Sequence, residues 1–277
     1  MTDIHRLKPR FIYGTAWKEE RTAELTTMAV IGGVRAIDTA NQRKHYFEAG
    51  VGEALQKLFE TNFVRREDLF LQTKFTYLRG QDHRLPYDPA ARLTIQVEQS
   101  FSSSLDHLGT DYIDSYVLHG PATGRGLTRE DHEVWRAMET LHARGKARHL
   151  GVSNVSLEQL KNFYNFAEVK PTFVQNRCYG VQGWDFEIRN FCQETGIIYQ
   201  GFSLLTANVD TLNRPEIKMI AQRHQMATVQ VIFRFAQQVG MYPLTGTTSS
   251  ENLRTDLASE SHELSSDELN LIQQVAL

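Results

Sequence analysis

The chain has 277 residues, 41% of them apolar, and a formal net charge of −3 at pH 7. This is enough apolar material for one large core or two small ones, and it leaves no basic surface calling for nucleic acid or an anionic membrane. No apolar run reaches bilayer-spanning length.

The first residues, Met1 to Arg6, are charged and contain no apolar signal segment. Cys178 and Cys192 form no metal-type pattern, so both read as reduced thiols of a cytoplasmic protein, and no metal is expected. No linker or low-complexity tract divides the sequence, which predicts one domain over residues 1–277. Short apolar runs alternate with longer amphipathic ones. Strands are predicted at residues 11–13, 35–38, 69–74, 112–118, 148–152, 173–175, 197–202 and 242–244. Helical patterns cover 92–108, 133–144, 157–167 and 228–239, the first stopping on Gly109, and Ser266 to Leu269 open a final capped helix. This alternation implies parallel strands joined by crossover helices, and eight units in a chain of this size suit a (β/α)8 barrel. A doubly wound sheet would carry Gly-x-Gly-x-x-Gly after its first strand; here Gly14-Thr15-Ala16-Trp17 follows instead.

In a barrel, chemistry collects where strands end. Those ends read Gly14, Asp38, Lys74, His119, Ser153-Asn154, Gln175 and Ser203. One aspartate after a strand is ordinarily a cap or turn residue. Three ionisable groups at successive strand ends point instead to a site. The stretch between Asp38 and Gly52 is unusual: a basic loop and then His45-Tyr46 separate the carboxylate from a helix.

At these residues the sequence resembles the aldo-keto reductase family. The resemblance rests on Gly33-Val34-Arg35-Ala36-Ile37-Asp38-Thr39-Ala40, on Leu71-Gln72-Thr73-Lys74, on Asp111 through His119, on Lys146 through Asn154, and on Glu48 and Gly52. It implies a (β/α)8 barrel that reduces carbonyls with a nicotinamide cofactor, usually NADPH, through an Asp, Tyr, Lys and His tetrad. Asp38, Lys74 and His119 match directly. In the usual pattern the tyrosine lies three residues before the matched glutamate, which here is His45. Tyr46 is nevertheless the candidate, since the basic loop can absorb an insertion, and His45 is the alternative occupant.

Reduction needs a hydride, a proton donor and help for the developing oxyanion. A tyrosine ordinarily titrates near 10, and a neighbouring Lys74 cation is expected to lower that value. Asp38 would hold Lys74 charged, and His119 would donate a second hydrogen bond to the substrate oxygen. By the same resemblance Ser153, Asn154 and Gln175 would hold the nicotinamide carboxamide, and Phe202 would stack on its ring. Gly14, Thr15, Ser203 and Leu204 would flank the cofactor. Gly246 and Asn252 stand where relatives often place a lysine and an arginine against the 2'-phosphate. Thr247, Thr248 and Ser249 offer hydroxyls there instead, so the expected preference for NADPH over NADH is weak. The long C-terminal loop that many relatives fold over the substrate is not expected here, and residues 77–89 are a candidate pocket wall instead. Tyr77 and His119 are candidate substrate contacts. Trp17 is open to a pocket role or to core packing, whereas Trp135 reads as core. The partner is expected to be a small-molecule carbonyl, with no nucleic acid and no membrane. Two rivals remain: a Schiff-base lyase using Lys74, and a cofactor-binding regulatory subunit with little turnover.

Overall fold

The computed structural model describes residues 10–275, so the leading residues Met1 to Arg6 lie outside the described residues. Eight parallel strands close into one barrel in chain order: β1 (Ile12–Gly14), β2 (Ala36–Asp38), β3 (Phe70–Phe75), β4 (Ile113–Leu118), β5 (Ala147–Ser153), β6 (Phe173–Arg177), β7 (Ile198–Phe202) and β8 (Tyr242–Thr245). β8 returns to β1 with Leu244 opposite Ile12. Every predicted strand is present, with ends moved by no more than two residues, because fully buried parallel strands read as short continuous apolar runs.

Helices wrap the outside: α1 (Thr22–Ile31), α2 (Glu48–Glu60), α3 (Leu93–Leu108), α4 (Arg129–Ala143), α5 (Leu157–Phe166), α6 (Phe186–Thr195), α7 (Val209–Asn213), α8 (Pro215–His224), α9 (Thr228–Gln238), α10 (Ser250–Ala258) and α11 (Ser266–Val275). None of the described helices is long and apolar enough to cross a membrane. α3 ends on Gly109, whose φ of 61° lies in the left-handed region that glycine adopts without strain. α4 begins four residues before its predicted start. Its charged first turn has no apolar period, but the Thr128 side chain caps it and the Asp131 carboxylate accepts from the Thr128 amide. α2 and α3 approach so closely at Gly52 that a Cβ there would collide with the His107 carbonyl oxygen.

Side chains two apart on a strand share a face, and this parity layers the barrel interior. Ile12, Ala36, Phe70, Phe173 and Tyr242, near the strand starts, form an apolar plug. Two residues further, Asp38, Gln72, Gln175 and Gln200 form a buried polar layer. Gln72 Nε2 donates to Asp38 Oδ1 and Gln200 Oε1, each at 2.7 Å, and Gln175 Nε2 donates to the same two oxygens at 2.9 and 3.0 Å. The plug closes one end, and the barrel opens at the other.

Trp135 and Trp184 are both fully buried, their indole N–H groups donating to the carbonyls of Val169 and Ile272. Cys178 and Cys192 are free and buried, and burial pushes each thiol up to about 12, which leaves them unreactive.

Candidate active site

A cavity of about 740 Å³ opens at the C-terminal ends of the strands. Its wall gathers Gly14, Asp38, Tyr46, His119, Ser153, Asn154, Gln175, Phe202, Ser203 and Leu204, with Trp17, the 245–247 segment, Asn252, Thr255 and Asp256. The volume is that of an ordinary small-ligand or cofactor site.

Lys74, at the end of β3, is completely buried beneath this cavity. Its ammonium donates to Asp38 Oδ1 at 2.6 Å, to Asp38 Oδ2 at 2.7 Å and to the Thr39 carbonyl at 2.8 Å. All its donors are thereby engaged. Burial pushes the Lys74 pKa down and the Asp38 charge opposes that. The carboxylate is fixed in turn by Gln72 and Gln175.

The loop after β2 closes as a tight turn, in which the Tyr46 amide donates to the Gln42 carbonyl at 3.0 Å. Gln42 is itself tied to the Gly80 carbonyl at 2.6 Å. The turn brings Tyr46 over Lys74, whose Nζ is 5.2 Å from the ring centroid, and edge-on to His119, with ring centroids 5.9 Å apart. His45 faces the cavity from further out: its ring lies 4.2 Å from that of Trp17, and its Nδ1–H donates to Gln42 Oε1 at 3.0 Å. Trp17 is 69% exposed and lines the cavity mouth rather than the core.

The Tyr46 pKa differs from the sequence expectation. Burial, followed by the Asp38 charge, raises it well above the ordinary tyrosine value. The Lys74 cation, its donors engaged by Asp38 and Thr39, does not reverse that rise. His119 is pushed down to about 3 by burial and then by the charge of Lys74, so its imidazole is neutral at physiological pH.

On the opposite wall Asn154 adopts a positive φ of 54° and donates to the His119 carbonyl at 2.8 Å and to Ser153 Oγ at 3.1 Å. Ser153 Oγ in turn donates to the Gln175 carbonyl at 2.6 Å. Phe202 forms part of the wall, with the Arg177 guanidinium 5.7 Å from its ring centroid.

Some predicted residues fall elsewhere. Tyr77 does not line the cavity: it is buried, and its hydroxyl donates to Asp131 at 3.0 Å. None of residues 77–89 reaches the cavity wall either. Thr15 is buried with its hydroxyl on the Asp38 carbonyl at 2.9 Å, and Thr248 is exposed outside the wall. Other wall residues were absent from the prediction. Arg177 lies two residues beyond Gln175 on β6, so strand parity alone could have found it. Asp256 lies one helical turn beyond Asn252 on α10. Lys18, whose ammonium donates to the Gly246 carbonyl, carries no local signal of that contact.

Sequence comparison places the chain in a family, and fold comparison finds the same barrel. An uncharacterised oxidoreductase of Bacillus subtilis, YtbE, is 31% identical over 244 residues, spanning 88% of this chain and 80% of its own. The NADPH-dependent alpha-keto amide reductase of Saccharomyces cerevisiae is 28% identical, over 95% of this chain and 85% of its own. The crystal structure of a Bombyx mori aldo-keto reductase in complex with NADP has the same fold, with a TM-score of 0.80 at 22% identity, covering 96% of this chain and 88% of that one. The profile of the Aldo/keto reductase family matches residues 11–277, so the barrel, its plugged base and the cavity at its strand ends belong to a member of that family.

Proposed function

We propose that this protein reduces an aldehyde or ketone to the alcohol, with NADPH as the cofactor and Tyr46 as the proton donor. One observation carries the reading: Tyr46 stands at the cavity wall directly over an Asp38-held Lys74 and against His119.

The wall chemistry fits a dinucleotide. Lys18 and Arg177 supply cations, while Ser203, Thr206, Thr247 and Asn252 supply neutral polar groups. Asp38 has its charge met by Lys74, so the two cations face one further carboxylate, Asp256, which accepts from Thr245 Oγ1 at 2.7 Å. Such a wall suits an anionic pyrophosphate. Ser153, Asn154 and Gln175 would hold the carboxamide, Phe202 the ring face, and Gly14, Leu204, Gly246 and Thr247 the remainder. NADPH held there would supply the hydride. The yeast relative's NADPH dependence and the NADP bound to the silkworm protein support this cofactor, with NADH the weaker alternative.

Tyr46 keeps its proton at neutral pH, because burial and Asp38 disfavour the phenolate. It is therefore the acid a reduction needs. Negative charge then developing on the substrate oxygen meets the Tyr46 hydroxyl and the His119 ring. As the proton leaves, the Lys74 ammonium supplies the nearest positive charge to the new phenolate. Asp38 keeps that ammonium in place. A Schiff base on Lys74 is disfavoured, since its nitrogen is engaged on three sides and does not reach the cavity wall.

The test is NADPH consumption by the purified protein across aldehydes and ketones, followed by the loss of cofactor absorbance. Tyr46→Phe should lower turnover by about 10^2- to 10^4-fold, the usual worth of a general acid, without changing cofactor affinity. His45→Ala should remain active. A protein that binds NADPH but turns over nothing on the panel sinks the reductase reading. An inactive His45→Ala beside an active Tyr46→Phe sinks the choice of acid.

A further inference from the structure

Thr76 follows β3 and is buried. Its hydroxyl lies 2.7 Å from His119 Nδ1. The His119 backbone is pinned on both sides: its amide donates to the Phe75 carbonyl at 2.9 Å, and its carbonyl accepts from Asn154 Nδ2 at 2.8 Å. The backbone that carries the ring is thereby held in place, and with Nδ1 against the Thr76 hydroxyl the proton on the ring decides what it can offer.

A neutral imidazole has one N–H, and the partner of one nitrogen settles the state of the other. Among the described residues, His119 Nδ1 is the one partner of the Thr76 hydroxyl. The Thr76 carbonyl is separately occupied, accepting from Tyr87 Oη at 2.8 Å and Gln81 Nε2 at 3.4 Å. A hydroxyl that accepted from Nδ1–H would leave its own proton buried without an acceptor, which is the costlier arrangement. A hydroxyl that donates to Nδ1 leaves nothing unsatisfied.

We propose that Thr76 is a positioning residue that fixes His119 as its Nε2–H tautomer, so that the ring presents a donor rather than a lone pair to the substrate oxygen. This rests on the reductase reading above only for its consequence in catalysis; the tautomer itself is a property of the free protein. A lone pair facing a developing oxyanion would repel it, whereas an N–H stabilises it.

The experiment is nitrogen-15 NMR of the full-length, cofactor-free protein labelled at histidine. His119 Nδ1 should show the shift of an unprotonated, hydrogen-bonded nitrogen and Nε2 that of a protonated one. In Thr76→Val the two tautomers should mix. The kcat should fall about tenfold, less than the 10^2- to 10^3-fold loss of a whole oxyanion donor, with cofactor affinity unchanged. Thr76→Ser should restore both the spectrum and kcat. A wild-type spectrum with the proton on Nδ1 overturns the proposal, as does Thr76→Val with an unaltered tautomer. Absence of carbonyl turnover in the wild type defeats the reductase reading instead, and leaves the spectrum to judge Thr76.

Discussion

The carboxylate of Asp131 accepts from Tyr77 Oη at 3.0 Å, from the Ala122 amide at 2.6 Å, and from the Thr128 amide and hydroxyl at 2.8 and 3.0 Å. That buried carboxylate is a structural hub, and Tyr77 sits at it rather than on the cavity wall. Tyr77→Phe should therefore leave kcat/KM unchanged and lower stability by about 1.5–3 kcal/mol, the range for a hydrogen bond to a charged group. Urea denaturation beside steady-state kinetics checks both; a raised KM with intact stability would return Tyr77 to the pocket. Lys18 is the opposite case, a side chain that reaches the site unannounced. Its ammonium stands on the carbonyl of Gly246, where the sequence lacks the lysine that relatives often place against the 2'-phosphate. Lys18→Met should weaken NADPH binding about tenfold, the lower end for a charge-assisted bond at a partly exposed site. NADH binding should change less. Equal losses for the two cofactors, measured by fluorescence titration, would place Lys18 on the pyrophosphate instead.

Helix α2 connects the tyrosine turn to the barrel wall, and its packing sets where that turn sits. Buried Glu48, at its first turn, accepts from Thr73 Oγ1 and pairs with His107 Nδ1 at 3.0 Å, which ties α2 to β3 and to α3. Gly52 lets α2 meet the end of α3 at backbone distance. Gly52→Ala should cost at least about 1–3 kcal/mol, the usual overpacking penalty, because the obstructing atom is a carbonyl oxygen that cannot rotate away. A melting temperature equal to wild type would show that α3 yields freely. The same elements show what a sequence discloses. Asp38, Lys74 and His119 were legible because parallel strands are short apolar runs whose last residues must sit at one rim. The start of α4 was not, since its first turn is charged and its cap partner Asp131 also serves Tyr77, a contact 54 residues away in sequence. The Gln42-to-Tyr46 turn was hidden for a related reason. It is stabilised by Gln42 reaching Gly80, and no local pattern encodes that bond.

Across the whole molecule, folding places a histidine that resists protonation at the centre of the site. His119 takes up a proton near 6.5 when unfolded but only near pH about 3 when folded, because burial and Lys74 oppose the charge. Between those values the unfolded chain binds the extra proton, so stability falls as pH drops from about 6.5 toward 3 and is fully present above that window. His107 acts in the other sense. Its hydrogen bond to Glu48 raises its pKa, so its contribution is present below about 6.5 and is lost as pH rises through the folded value. Asp256, lifted to about 6 by burial, likewise favours the fold at low pH and loses that contribution as pH rises from about 4 to 6. These opposing groups make the bare pH profile of the wild type uninformative, but a difference between two proteins isolates one of them. His119→Asn lacks only the first group, so its stability relative to wild type should improve on acidification. One proton of difference is worth about 1.4 kcal/mol per pH unit, so from pH 6.5 to 4.5 the relative gain should be about 2 kcal/mol. Urea denaturation at the two pH values measures it directly. Parallel stability curves for variant and wild type would mean that the His119 ring charges normally within the fold, and would remove the neutral imidazole on which the choice of tautomer at Thr76 depends.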